Sequence, residues 1–134
     1  MEAKDLRIGN AVHYKHTGVN NVVKKYLCKL DGEDIEAMAE RVGYLKLHEP
    51  IKLTDNWLER FGFEKCNGVW RIKLGEDLYL RGHIANNAFN CCIDGSTCDI
   101  ESRVSIKICK YKYVHQLQNL YFALTGEELK LKSE

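Results

Sequence analysis

The sequence has a single proline, Pro50, among 134 residues, and it has no long uncharged run. The longest segment without Lys, Arg, Asp or Glu covers 113–126, fourteen residues, which is too short to span a bilayer. Residues 1–5 include two acids and no apolar run follows them, so no secretory signal is visible. We therefore expect a cytoplasmic protein with no membrane partner.

An excess of charge of one sign is also lacking. Twenty Lys and Arg residues against 19 Asp and Glu residues leave a net charge of +1. This balance excludes a uniformly basic nucleic-acid coat and an acidic tail, although a local patch stays open. With 45% hydrophobic and 29% charged residues, the composition is that of a globular chain and excludes wholesale disorder.

Sequence signatures of cofactor and metal sites are missing. Neither a G-x-G-x-x-G nor a G-x-x-x-x-G-K segment occurs, so no phosphate loop is predicted. His13 and His16 would point to opposite faces of a strand, which does not favour a shared metal ion. We expect no cofactor, no metal, and reduced cysteines that mostly behave as small buried hydrophobes, namely Cys28, Cys66, Cys91, Cys92, Cys98 and Cys109.

Thiol–imidazole pairs are the remaining catalytic candidates. Cys91 or Cys92 could pair with His83 or His115, because such partners come from distant positions in cysteine proteases. A chain with six cysteines and five histidines offers such pairs by chance, and no family-specific flank surrounds them. The sequence thus predicts no catalytic residue and favours a protein that is not an enzyme.

The apolar pattern predicts an α+β fold with antiparallel sheets. Short helices are expected from Asp34, which would be the cap, and from Thr54 to a stop at Gly62. The longest helix is expected near 114–124, with Gly126 ending it. Strands are expected at 6–14, 22–30, 44–47, 69–74, 78–80, 88–93 and 103–112. Because strands and helices do not alternate, a parallel sheet is excluded.

A basic and aromatic strand is the most suggestive local feature. From 103 to 126 there are four cations and no acid. Simple alternation puts Lys107 on one face with the tyrosines, and the other two lysines on the opposite face, unless the strand bulges near Cys109. Lysines and rings on one strand are typical of single-strand nucleic-acid binders, while lysines also protect sheet edges. The candidate binding residues are Lys107, Lys110, Tyr111, Lys112 and Tyr113.

Three blocks together resemble a family of small uncharacterised proteins of gut-bacterial genomes, often found near prophages or mobile elements. The blocks are LRIGN at 6–10, PIKLT at 50–54 continuing through WL and FGF to 63, and VHQLQNLYFALTGEEL at 114–129. The resemblance implies a small SH3-like, barrel-type N-terminal half followed by an antiparallel sheet with a C-terminal helix. It carries over no catalytic residue.

These observations lead to a division of the chain and two hypotheses on function. We expect a β-rich subdomain at 1–53 and a helix, sheet and C-terminal helix at 54–134, together forming one continuous compact unit. The leading hypothesis is a non-enzymatic adaptor that binds another protein through an exposed sheet edge, and the resemblance implies a phage-related role for it. The alternative is a nucleic-acid-binding module that uses the strand at 103–113, with Lys24 and Lys25 as further contacts.

Overall fold

The computed structural model describes residues 1–41, 43–95 and 105–132, with the backbone alone for Ala3 and 105–109. The chain forms two compact units, which we call unit 1 (1–52 with 113–119) and unit 2 (53–112 with 120–134). Each contains an antiparallel sheet, so the predicted α+β class is confirmed. No described helix has the length and apolar character needed to cross a membrane.

Unit 1 is built on a three-stranded sheet in the order β2-β1-β3. The strands are β1 (Ala11–Thr17), β2 (Val23–Lys29) and β3 (His48–Glu49), and helix α1 covers Gly32–Glu40. The sheet is open, and no barrel closes among the described residues. Its core consists of Leu6, Val12, Leu30 and Met38, with half-buried neighbours that include Cys28 and Tyr44.

Two strand predictions in unit 1 are wrong because local hydrogen bonds favour turns. The first strand begins at Ala11 rather than at residue 6, since the Asn10 side chain accepts from the Arg7 N–H and closes a turn. Residues Leu45–Leu47 form a 3-10 helix, in which the Leu47 N–H donates to the Tyr44 carbonyl. Strand pairing starts only at His48, opposite Tyr14.

The N-cap of helix α1 lies three residues before the predicted cap, Asp34. Asp31 is the N-cap and accepts from the Asp34 N–H, while the Asp34 carboxylate accepts from the Asp31 N–H. This reciprocal pair satisfies two amides that the first turn leaves without helical partners. The expected helical residue Val42 lies outside the described residues.

A buried polar network joins the loop before β1 to the start of helix α3 (Val114–Thr125). The Gln118 amide oxygen accepts from the Ala11 N–H at 2.8 Å, and its nitrogen donates to the Gly9 carbonyl at 3.2 Å. The Asn119 oxygen accepts from the fully buried Asn10 side chain at 2.8 Å and from Arg7 Nε at 3.2 Å. Residues of the first and third sequence blocks therefore bond to each other within unit 1.

Unit 2 contains a five-stranded antiparallel sheet in sequential order, β4-β5-β6-β7-β8. Helix α2 (Asp55–Arg60) precedes it, with Trp57 and Leu58 buried as predicted. Gly62 has a φ of 91°, which confirms the predicted left-handed helix stop. The strands are β4 (Glu64–Cys66), which the sequence pattern did not predict, β5 (Val69–Gly75), β6 (Leu78–Ala85), β7 (Ala88–Gly95) and β8 (Ser105–Tyr111).

Aromatic packing and one glycine set the interior of the five-stranded sheet. Phe63 and Phe89 are almost fully buried and meet edge to face, with ring centres 5.9 Å apart. Gly82 lies beside this contact, where an added Cβ would be 2.3 Å from the Asn90 carbonyl oxygen and 2.6 Å from the Phe89 ring. The chain at this position therefore tolerates only glycine without local movement.

Candidate nucleic-acid interface

The register of the five-stranded sheet separates an apolar inner face from a polar outer face. Residues opposite each other on paired antiparallel strands share a face. Trp70 pairs with Gly82, which pairs with Cys91, and these belong to the buried inner face. Arg71 pairs with Arg81, which pairs with Cys92, so that row lies on the outer face.

Basic side chains from three strands collect on this outer face. We call the set of Arg71, Lys73, Arg81, His83 and Lys110 the basic face. Strand β5 supplies Arg71 and Lys73, and β6 supplies Arg81 and His83. His83 lies opposite Asn90 of β7, and Asn90 lies opposite Lys110 of β8, so these three residues form one row. All members of the basic face are exposed except Arg81, which is half-buried. Strands about 5 Å apart spread these charges over roughly 15 Å from β5 to β8.

The charge of this surface is strongly one-sided. Strands β5 to β8 contain five Lys or Arg residues and a single acid, Asp94. The Asp94 carboxylate is 3.4 Å from Arg81 Nη1, and its side chain is only 5% exposed, so Arg81 already compensates this negative charge. The exposed Glu64 on the edge strand β4 faces Arg71 across the sheet. A net positive potential remains at Lys73 and Lys110.

An aromatic ring lies within the basic face. Tyr79 pairs with Lys73 on one side and with Asp94 on the other, and its ring centre is 5.2 Å from Arg71 Cζ. A guanidinium over a ring is a cation–π contact, and both planar groups are surfaces on which a nucleobase can stack. The basic face thus combines several cations with one aromatic ring.

A bulge in β8 decides where two of the predicted binding residues lie. Lys110 is opposite Asn90 and Lys107 is opposite Cys92, so two residues of β8 stand against Cys91 alone. Simple alternation puts Lys107 and Lys110 on opposite faces unless the strand bulges near Cys109, and the structure has this bulge. It gives Lys107 and Lys110 register positions of the same parity, opposite two outer-face residues of β7.

The other predicted binding residues lie elsewhere. Tyr111 is opposite Phe89, a fully buried residue of the inner face, and is itself half-buried. Lys112 follows the strand, and its carbonyl accepts from the Leu53 N–H. Tyr113 belongs to unit 1, where its ring stacks on His115 at 5.9 Å. Within unit 2, the register therefore places Tyr111 on the inner face and Lys110 on the outer face.

The cations that complete the basic face were not predicted as binding residues. Arg71 and Lys73 alternate with Trp70, Ile72 and Leu74, a pattern used only to predict a strand. Reading the polar members of that alternation as a second face would have indicated them. Their alignment with Arg81 and Lys110 depends on strand order and register, which lie beyond the sequence pattern.

No protein-family model matches the chain, and no curated protein or solved structure is significantly similar to it. The basic face is therefore described by its own geometry and charge.

The cysteines and histidines have separate environments. Burial, followed by the negative charges of Asp34 and Asp31, raises the pKa of the Cys28 thiol and favours its unreactive protonated form. Cys91 is buried on the inner face and Cys92 is half-buried on the outer face. Cys98 lies outside the described residues. Within the described part of the chain, no three His, Cys, Asp or Glu side chains are placed to hold a metal ion.

His115, a predicted catalytic candidate, is a buried residue of unit 1. The residue is 3% exposed, and its Nδ1 has no hydrogen-bond partner among the described residues. Burial lowers the pKa of His115, so the ring is held in its neutral form. His83 instead belongs to the basic face.

A tyrosine–carboxylate pair stabilises the turn before β3. The Tyr44 hydroxyl donates to Asp34 Oδ1 at 2.8 Å, and this bond, with burial, raises the pKa of Tyr44 to about 12. Burial alone would raise the pKa of Asp34, but the Asp31 N–H and the Tyr44 hydroxyl together hold it below its usual range. A phenol with so high a pKa is a poor nucleophile or base at neutral pH, so this pair is structural.

An open cleft of about 600 Å³ lies on the other side of β5 from the basic face. Ile72, which has the opposite strand parity to Arg71 and Lys73, is one of its walls. The remaining lining residues are Phe61, Tyr121, Glu127, Glu128, Leu129 and Lys130. The cleft contains no histidine or cysteine, and burial, with the charge of Glu127, raises the pKa of Tyr121.

Proposed function

We propose that this protein is a nucleic-acid-binding module that holds single strands on the basic face of unit 2. The observation that carries this proposal is the convergence of Arg71, Lys73, Arg81 and Lys110 from three strands, together with Tyr79. Because of this convergence we place nucleic-acid binding before the protein-binding adaptor role that the sequence favours. The sequence already indicates Lys110 as a nucleic-acid contact, and the other cations lie on the same face.

Single strands fit this surface better than a duplex. A flat sheet face with a ring and a guanidinium can stack unpaired bases while neighbouring lysines contact phosphates. The bases of a duplex are stacked on each other and leave no ring face for Tyr79. We therefore expect little sequence preference and a strong dependence on salt.

Binding to a fluorescein-labelled oligothymidine of twenty nucleotides tests the proposal. At 50 mM salt, fluorescence polarisation should show binding that Lys73→Glu/Lys110→Glu weakens by at least about tenfold. The slope of log affinity against log salt should fall by about 1.4 in this variant, since each phosphate contact on a single strand contributes roughly 0.7. Tyr79→Leu should weaken binding by losing one stacked base.

The matched control is Lys29→Glu/Lys46→Glu, which makes the same change of net charge at two exposed positions of unit 1. If both double variants weaken binding equally, attraction is to overall charge and the basic face is not the interface. Absence of binding at 50 mM salt, or equal affinity for a duplex of the same length, contradicts the proposal.

A further inference from the structure

Strand β2 is an open sheet edge in unit 1. It pairs with β1 along all seven of its residues, and no described strand pairs with its other side. Six of the seven residues are exposed, and Val23, Tyr26 and Leu27 each keep about half of their surface in solvent. A strand of this length with unpaired backbone groups is a template for another extended chain.

The charge of the β1–β2 hairpin is more one-sided than that of the whole chain. Residues 11–29 contain four lysines and two histidines and no acid. The Glu49 carboxylate on β3 pairs with Lys25 at 2.5 Å. The hydrogen bond from Lys25 is the main cause that lowers the pKa of Glu49, so this carboxylate is ionised. The three lysines of β2 are all exposed and give this edge a positive charge that attracts an acidic partner.

We infer that β2 binds an extended acidic segment of another protein, which adds a fourth strand to the sheet. Backbone hydrogen bonds to the open edge would hold the segment, and its alternate side chains would lie near the lysines on the two faces. Lys25 and Lys29 share a face with Val23 and Leu27, and Lys24 lies on the other face. The segment therefore carries acids on both of its faces, with apolar residues among them for Val23 and Leu27. This is the protein-binding adaptor role expected from the sequence, now placed on a defined edge and independent of the proposed nucleic-acid function.

Charge and backbone pairing distinguish this partner from two others. A second copy of the chain would bring a second β2, so the pair would contain six lysines and no acid, and like charges across strands are destabilising. A nucleic acid could contact the exposed Tyr26 ring, but it would not pair as a strand with the backbone N–H and C=O groups of the open edge. An acidic peptide satisfies both the backbone edge and the charge.

A synthetic nine-residue peptide with the repeat Glu-Glu-Val, which places glutamates on both faces of an extended strand, is the probe. Nuclear magnetic resonance titration of the ¹⁵N-labelled full chain should show shifts confined to β2 and its neighbours. Amide exchange in the complex should slow within β2, because new backbone hydrogen bonds protect amides of the open edge. The same peptide with proline at every third position should not bind, since proline cannot pair as a strand.

The variant Lys24→Glu/Lys29→Glu should bind the peptide about tenfold or more weakly. The variant Lys73→Glu/Lys110→Glu has the same change of net charge and should bind it with unchanged affinity. Circular dichroism checks that both variants are folded. Equal weakening by both, binding of the proline-containing peptide, or no peptide binding overturns the inference, and in the last case the lysines only protect the edge. Dimers that protect β2 in the absence of peptide assign the edge to a second copy and also overturn it. Because the oligothymidine and peptide assays use different surfaces, each can fail without the other.

Discussion

Replacing Gln118 by methionine tests whether the buried polar network stabilises unit 1. Methionine has a similar length and fits a helix, so the change removes hydrogen bonds with little change in shape. It deprives the buried Ala11 N–H of its acceptor at 2.8 Å and the Gly9 carbonyl of a donor at 3.2 Å. Leaving a buried donor unsatisfied costs about 1–3 kcal/mol, and the second bond contributes about 1 kcal/mol.

The expected loss is therefore about 2–4 kcal/mol of the free energy of unfolding. For a urea dependence of about 2 kcal/mol per M, the unfolding midpoint should fall by roughly 1–2 M. Far-UV circular dichroism is the suitable probe, because both tryptophans, Trp57 and Trp70, lie in unit 2.

Ala123→Met is the matched control, since it introduces the same residue at an exposed position of the same helix. It should change stability by less than about 0.5 kcal/mol. If Gln118→Met costs no more than this control, the network contributes nothing measurable, and the reasoning from unsatisfied buried groups is refuted for this protein.

Two further changes test the core of unit 2 and the buried histidine. Gly82→Ala should destabilise by at least about 2 kcal/mol, because the new Cβ meets the Asn90 carbonyl, whereas Gly75→Ala meets nothing within 4 Å. Equal urea midpoints for the two alanine variants would contradict this packing argument. Burial lowers the pKa of His115 below 6.5, despite the opposing charge of Asp5, so the unfolded chain takes up a proton first as pH falls. The free energy of unfolding should therefore fall as the pH drops below 6.5. Urea titrations at pH 7 and pH 5 should show a smaller fall for His115→Phe than for the unchanged protein. An identical fall would mean that the histidine is not neutral when folded.

The elements with strong periodicity were predictable from the sequence. The apolar spacing of Val114 and Leu117 and the stop at Gly126 predicted α3, and the structure confirms it with a φ of 73° at the glycine. Leu124, which continues the same apolar spacing, is 40% exposed. The reason is that helical spacing indicates a face of the helix, while burial along it depends on which neighbours extend that far.

The polar contacts and the basic face were beyond the sequence pattern. Asn10 and Gln118 are buried polar residues more than 100 positions apart, and nothing local indicates that they share a network. Likewise, Lys110 was identified as a candidate from its own strand, but Arg71 and Arg81 join it only through the pairing of β5 to β8. Long-range register fixed both arrangements, and a single strand carries no information about its partners.

Unit 1 includes residues 113–119, so during synthesis it cannot be completed until these late residues have been made. The amide of Ala11 leaves the ribosome long before Gln118, its hydrogen-bond acceptor, has been added to the chain. At about 5–20 residues per second, that interval lasts roughly 5–20 s. Through this period the open edge of β2 is exposed on an incomplete unit, and its lysines would discourage nascent chains on neighbouring ribosomes from pairing with it.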